Sequence, residues 1–496
     1  MTILEEEFCM AVDARDARVA RVAKKTHENV IEWLEERQGR FIAMADEIWN
    51  TPELALAEYK ASTLQADDLA ADGFTITRNI GDLPTAFMAE WTSGTGGTGG
   101  PVIGFLGEYD ALPGLSQERQ SGQTPIVVDG PGHGCGHNLL GTAALAAASV
   151  VKAWLQATGT PATVRYYGCP AEETCEGKVY MARAGAFDDL DMAITWHPGS
   201  VNSVWAGSSL AVNNIKYRFR GRTAHAAANP ETGRSALDAV ELMNVGMNYL
   251  REHMPDAARI HYVITRGGGA PNVVPDDCEV WYFIRSPERY QVEELTERVG
   301  KIAEGAAMMT ETEVTVNFLS GAYNMLTNMV VSDHMIAVLD ELGPLEFTPE
   351  EVAYARAIAE SFPESLRKGI LASEHLPESL LSEGLNGDVW PIRDAGQVLP
   401  GSTDVSDVSW ITPCSQITTA CFPLAVPGHS WGITSTSGIT IGQKGMIHAA
   451  KAMAMVAADF ILDPALLQEA RNEFAASTAG RPYVCPIPAE VNPRKP

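Results

Sequence analysis

Three short apolar runs constrain this chain most, because each ends on residues that a core strand does not need. PVIGFLG (101–107) leads into Glu108-Tyr109-Asp110, TVRYYGC (163–169) into Pro170-Ala171-Glu172-Glu173, and DMAITW (191–196) into His197-Pro198-Gly199. A long helical pattern begins near Leu139, between the first two. Strands alternating with helices predict an α/β fold with a largely parallel sheet. Ligands bind beyond the carboxyl ends of such strands. The polar clusters fall at those ends, so one shared site is expected.

The flanking segments have other rhythms. Residues 15–45 fit an amphipathic helix with Val22, Val30, Trp33 and Leu34 on one face. A second helical stretch is expected from Pro52 onward. The tract 92–100 reads as a flexible loop by composition. Residues 208–220 alternate as a strand, 232–252 fit a helix, 258–266 and 277–286 read as strands, 289–307 as a helix and 312–319 as a strand. The order βαββαβ is the ferredoxin-like pattern. This predicts an inserted domain at 208–325, within a main domain formed by 1–207 plus 326–496. Residues 326–395 read as a solvated helical excursion without chemistry. The helix from Gln443 to Leu462 should return to the main domain, and the Pro-rich tail should be extended.

Composition narrows the partners. With 36 Lys and Arg against 63 Asp and Glu, the formal net charge is -27. Such a chain repels phosphate backbones and anionic lipid, so neither nucleic acid nor membrane is an expected partner. Eight Cys in 496 residues do not suggest a disulfide scaffold. MTILEEEFCM has no basic n-region followed by an apolar stretch, so a cytoplasmic location is expected.

The sharpest chemical signal is PGHGCGHNLLGTAAL (131–145). Cys135 and His137 stand two apart among glycines at a helix start. Thiolate and imidazole both suit borderline metals. A Cys-x-His pair alone is a weak signal. Glu172-Glu173 can place one carboxylate on a metal and the other at a proton-transfer position, although paired acids also suit a helix N-terminus. His197 and His429 (in VPGHSW) complete the set. Together Cys135, His137, Glu173, His197 and His429 could hold one or two transition-metal ions, and two ions ~3.5–4 Å apart are a recurrent hydrolytic arrangement. His133 reads as a loop His beside the site, His448 as a packing residue and Cys169 and Cys175 as buried thiols. Asp404 and Asp407 fit either helix capping or a hydrogen bond that steadies the site. No Gly-x-Ser-x-Gly elbow or nucleotide-binding glycine fingerprint is present.

The chain resembles the metal-dependent amidohydrolases of the aminoacylase and carboxypeptidase G type, and among them the amino-acid-conjugate hydrolases. GHGCGHNLLGTAA, PAEET, TWHPG, GRTAHAAANP and GQKGMIHAAKAMA occur in the family's order, and the likeness runs from about Ile48 to Ala458. The resemblance implies a zinc-peptidase-like mixed sheet flanked by helices, with the inserted domain serving as lid and dimerisation surface. It implies that Cys135, His137, Glu173, His197 and His429 bind Mn2+ or Zn2+. Glu172 would be the general base, and His225 would reach a partner subunit's site to steady the oxyanion. Asn272 and Arg285 would lie near the substrate carboxylate or backbone. Asp110 would orient a ligand. The implied substrate is an N-acyl or N-aroyl amino acid, in the branch nearest this chain p-aminobenzoyl-glutamate. A homodimer or higher homo-oligomer is implied, with a homologous second subunit as a further option. Two departures stand out: Asn138 follows the metal-binding His where many relatives have Asp, and Glu108-Tyr109-Asp110 replaces an Asp-x-Asp. A hydrolytic deaminase using the same site, and a non-catalytic metal- or ligand-binding relative, are the competing readings.

Overall fold

The computed structural model describes residues 3–94, 100–174 and 176–493, with side chains described from residue 22 onward. Most of the Gly-rich tract (95–99) and Cys175 therefore lie outside the described residues. In chain order the strands are β1 (Thr75–Arg78), β2 (Phe87–Thr92), β3 (Val102–Glu108), β4 (Thr163–Cys169), β5 (Met192–Gly199), β6 (Ser203–Trp205), β7 (Ala211–Arg220), β8 (Arg259–Arg266), β9 (Asp277–Ser286), β10 (Glu313–Ala322) and β11 (Cys414–Ala420).

The larger sheet has the order β1-β2-β4-β3-β5-β11-β6. Strands β4, β3, β5 and β11 run parallel, while β1, β2 and β6 pair antiparallel with their neighbours. The central parallel strands are buried on both faces, as helical crossovers require. One face is covered by the helices His137–Thr158, Thr440–Leu462 and Ile3–Asn50, whose apolar sides share a core with Phe105, Ile194 and Ile417. The first two are long and apolar enough to cross a membrane, yet both are mostly buried inside the protein and serve as core helices. Gly141 permits the closest approach: a Cβ there would lie 2.4 Å from the Glu108 carbonyl oxygen. That contact seats the start of the His137 helix against the end of β3.

The smaller sheet is antiparallel, in the order β10-β7-β9-β8. Helices Ala236–Leu250 and Arg289–Thr310 pack on it through Val240, Met243, Met247, Leu295 and Val299, against Tyr217 and Tyr282. These residues form a core of their own.

Three local expectations change. The second helix begins at Tyr59, not near Pro52, because Leu56 takes a left-handed φ of 66° and the Glu58 carboxylate accepts from Leu56 N instead. Val22 is exposed, although Val30 and Leu34 are buried on the same helix. Residues 326–395 are not simply solvated. The helices Met329–Leu342, Pro349–Glu360 and Glu364–Ser373 each bury an inner face, and Leu371, Leu376 and Leu380 pack on Val201 and Leu424.

The N-terminal helix is fastened by a buried histidine. His27 Nδ1 lies 2.9 Å from Glu341 Oε1 and Nε2 lies 2.9 Å from Asp459 Oδ1. His334 Nε2 lies 2.9 Å from the other Asp459 oxygen. Burial opposes the His27 charge, but the two carboxylates outweigh it and raise its pKa. Burial likewise opposes ionised Asp459, and the two imidazoles outweigh it and hold that pKa down. The His27 contribution is complete below its unfolded pKa of 6.5 and is lost as pH rises through the higher folded value. The Asp459 contribution is present above its unfolded pKa of 3.8 and is lost as pH falls through the lower folded value. His27→Gln should therefore cost about 2 kcal/mol near pH ~5.5 and less near pH ~9. Urea unfolding at both pH values checks this; an equal deficit at both would rule out the charged pair.

Candidate metal centre

Four parallel strands deliver the site. The chain leaves β3 through Asp110 and returns at Cys135. Gly136 then takes a left-handed conformation (φ 77°) and His137 opens the helix that packs on β3. The end of β4 continues into a single helical turn, Glu172–Thr174. His197 lies within β5, which runs on to Gly199 rather than stopping at Trp196. His429 follows β11 in a loop, with φ 52°.

Backbone and carboxylate contacts fix which imidazole nitrogens face inward. His137 Nδ1 lies 3.0 Å from Asp110 Oδ1 and 3.1 Å from the Asp110 carbonyl oxygen. The ring donates from Nδ1, which turns Nε2 toward the donor groups. Asp110 Oδ2 also accepts from Glu173 N at 3.0 Å. One buried carboxylate thus orients both the imidazole and the turn bearing the Glu pair. His197 Nδ1 lies 2.8 Å from the Pro198 carbonyl oxygen, which again leaves Nε2 free to coordinate. That Nε2 is 3.3 Å from Cys135 Sγ. His429 Nε2 is 3.4 Å from Glu173 Oε2.

The five ligands expected from the sequence form two donor groups: Cys135, His137 and His197, and Cys135, Glu173 and His429. In each, the donor atoms lie within 4.8 Å of one another, and Cys135 belongs to both. His137 Nε2 and Glu173 Oε1 are buried without a hydrogen-bond partner. A thiol, three imidazoles and a carboxylate, with two inward-facing donors otherwise unsatisfied, fit divalent cations of the zinc or manganese kind. The electrostatics agree. Burial pushes the Cys135 thiol well up, and the Glu173 charge adds to it. Burial raises Glu173 to about 7. Burial, with the Glu108, Glu173 and Asp404 carboxylates, lifts Glu172 well above the usual range. Burial, with His137, lowers His197 to about 4. A bound cation reverses the penalty on the thiol and carboxylates.

The remaining sequence candidates divide. Glu172 is at the centre, with Oε2 3.9 Å from His137 Nε2. His225, Asn272 and Arg285 lie on the unit with the smaller sheet. Among the described residues no hydrogen bond or ion pair joins them to the Cys135 groups. His225 and Asn272 are neighbours there: His225 bridges to Val273, and Ala226 N donates to the Asn272 carbonyl oxygen at 3.0 Å. His225 Nδ1 accepts from Ala227 N and Ala228 N, at 3.2 and 3.1 Å. Its proton therefore sits on Nε2, on an exposed ring ready to donate. Arg285 is half-buried on β9, its guanidinium 3.4 Å from Ser402 Oγ. His133 is buried with Nε2 3.1 Å from the Ile48 carbonyl oxygen, and Cys169 is buried. Asp407 accepts from Tyr483 Oη and Tyr323 N, a structural role.

Sequence reasoning did not assign roles to Trp205, which stacks on His197 with centroids 5.0 Å apart, or to Glu108 and Lys178. Glu108 could have been suspected from its place at a strand end. Nothing in the sequence marks Lys178 as buried.

Asn138 has a geometric explanation. Its Nδ2 donates to the Ser437 carbonyl oxygen at 3.0 Å and lies 3.4 Å from that of Ala45. An aspartate would set a buried charge against carbonyl oxygens. Asn138→Asp should destabilise the fold by about 3 kcal/mol, read from the urea midpoint, and a neutral result would remove this explanation.

A mixed sheet with thiol, imidazole and carboxylate donors at its parallel strand ends is the arrangement of a metal-dependent hydrolase. Residues 104–364 match the model for peptidase family M20/M25/M40, and the chain belongs to that family. It is 43% identical to one of the two kinds of subunit of the p-aminobenzoyl-glutamate hydrolase of Escherichia coli, over 93% of this chain and 97% of that one. It is 30% identical to the Xaa-Arg dipeptidase of Mus musculus, over 89% and 90%. A dinuclear metal-binding M20 peptidase from Bacillus subtilis shares the fold, with a TM-score of 0.56 at 17% identity, over 86% of this chain and 99% of that one.

Proposed function

We propose that this protein hydrolyses the amide bond of N-acyl or N-aroyl amino acids, with p-aminobenzoyl-glutamate the leading substrate. The observation that carries this reading is Glu172, a buried carboxylate beside two donor groups that share Cys135. Identity to the Escherichia coli hydrolase across nearly the whole chain supports the substrate choice. Cys135, His137, Glu173, His197 and His429 would hold one or two divalent ions, Mn2+ or Zn2+, which when bound polarise a carbonyl and make a water more acidic. Asp110 keeps His137 in the tautomer that can coordinate. Glu172 takes the proton of the attacking water and passes it to the leaving amine nitrogen.

Residues 208–325 would form the inserted ferredoxin-like domain that acts as lid and dimerisation surface. His225 on it would donate from Nε2 to the oxyanion in a neighbouring subunit's site. Asn272 and Arg285 would hold the substrate carboxylate or backbone. The Escherichia coli hydrolase has two kinds of subunit, which supports a homologous second subunit as an alternative to the homodimer. The six cysteines whose side chains are described are all unpaired, which supports a cytoplasmic setting.

The test is a product assay on protein reconstituted with manganese or zinc, against a panel of acyl amino acids that includes p-aminobenzoyl-glutamate. Release of a free amino acid is expected. Ammonia as the product would point to a deaminase, and metal uptake without turnover to a non-catalytic relative. His225→Ala should lower kcat by about 10²–10³-fold with KM little changed. Mixing it with an inactive Glu172→Ala protein should restore part of the activity if His225 acts across subunits.

A further inference from the structure

The proposed ligand set leaves Glu108 and Lys178 without a role, although both are buried beside it. Lys178 is fully buried on the helix Gly177–Arg183, and Glu108 is 2% exposed. Lys178 Nζ donates to Glu108 Oε1 and to Asp404 Oδ1, each at 2.6 Å. The backbone N of Lys178 donates to Asp404 Oδ2 at 2.8 Å. Both Asp404 oxygens and one Glu108 oxygen are thereby occupied.

The free Glu108 oxygen, Oε2, lies 3.4 Å from His137 Nε2. That nitrogen is fully buried and without a hydrogen-bond partner, and its ring already donates from Nδ1 to Asp110. A carboxylate oxygen and an imidazole lone pair facing each other at this distance repel unless a cation or a proton joins them. Oε2, Nε2 and a Glu172 carboxylate oxygen lie within 4.8 Å of one another. Two carboxylates against one ammonium leave the buried trio one negative charge in excess, and its free oxygen faces His137.

We propose that Glu108 is an additional anionic donor to the cation held on His137, and that Lys178 and Asp404 are the positioning residues that aim it. This rests on the metal-binding reading above. It predicts that the centre includes the carboxyl end of β3, beyond the Cys135, His137, Glu173, His197 and His429 set.

The test is metal affinity, independent of turnover. Full-length protein is stripped with a chelator and titrated with Mn2+ or Zn2+ in competition with a chromogenic chelator. Glu108→Gln should bind at least one ion about 10–100-fold more weakly. Asp404→Asn should show a smaller loss in the same direction. The glutamine can still accept from Lys178, so metal-free thermal unfolding should stay close to that of the native protein. Should Glu108→Gln not fold, Glu108→Asp decides: it keeps the charge but draws the carboxylate back from His137, so it must also bind metal more weakly. Affinity within twofold of the native protein in the folded Glu108 variant overturns the proposal. If the native protein itself takes up no metal, the reading of the whole centre fails. If it does and the Glu108 variant matches it, only this inference fails.

Discussion

Glu172→Ala should lower kcat for amide hydrolysis by about 10²–10⁴-fold while leaving the bound metal content unchanged. The carboxylate lies 3.9 Å from His137 Nε2, close enough to serve a water held at the donor groups. Asp110, which orients His137 and the Glu173 backbone, does not depend on Glu172. Burial, with the charges of Glu108, Glu173 and Asp404, makes Glu172 more basic than an ordinary glutamate. That suits a group that must accept a proton near neutral pH and return it within one turnover. Metal analysis and steady-state kinetics on one preparation separate the two effects. Loss of metal together with activity would make Glu172 a ligand, and full turnover would remove it from the mechanism.

Lys178→Met should cost about 3–5 kcal/mol of stability, since it strands two buried carboxylates without their counter-charge. Burial opposes the lysine charge, but Asp404 and Glu108 outweigh it and raise its pKa. Burial already lifts Asp404 to about 6 with the ammonium present. Without the ammonium Asp404 loses the charge that opposes the effect of its burial, so its folded pKa rises further above the unfolded one. A raised carboxyl pKa favours the folded state as pH falls. The deficit should therefore shrink from pH ~8 toward pH ~5. Urea unfolding across that range checks both size and sign, and a deficit that does not change with pH would point to lost packing instead.

Much of the frame was legible along the chain. β4 and β9 were read with the observed limits, because their alternation and bounding turns are local signals. The glycine-flanked Cys135 and His137, the Glu pair and His197 were legible because they interrupt apolar runs. β11 was not. CSQITTA is polar in composition yet buried throughout, and it is stabilised by contacts such as Ser415 Oγ to Ser332 Oγ at 2.7 Å and Thr419 Oγ1 to the Gly445 carbonyl oxygen at 2.9 Å. Those partners come from distant helices, so no window of sequence contains them. The buried inner faces of 326–395 were missed because their charged outer faces dominate the composition.

The sequence by itself determined which reactive side chains stand at the ends of which elements, since helix and strand periodicity and glycine conformation act over a few residues. It also carried the family, through motifs in a fixed order. Only the tertiary structure decided which of those side chains meet. Placing β3 between β4 and β5, with β11 beside β5, brings Asp110, Cys135, the Glu172 turn, His197 and His429 to one point. The same packing buries Lys178 between two carboxylates. Burial and charge pairing are properties of neighbours in space, and strand order, not local propensity, selects those neighbours.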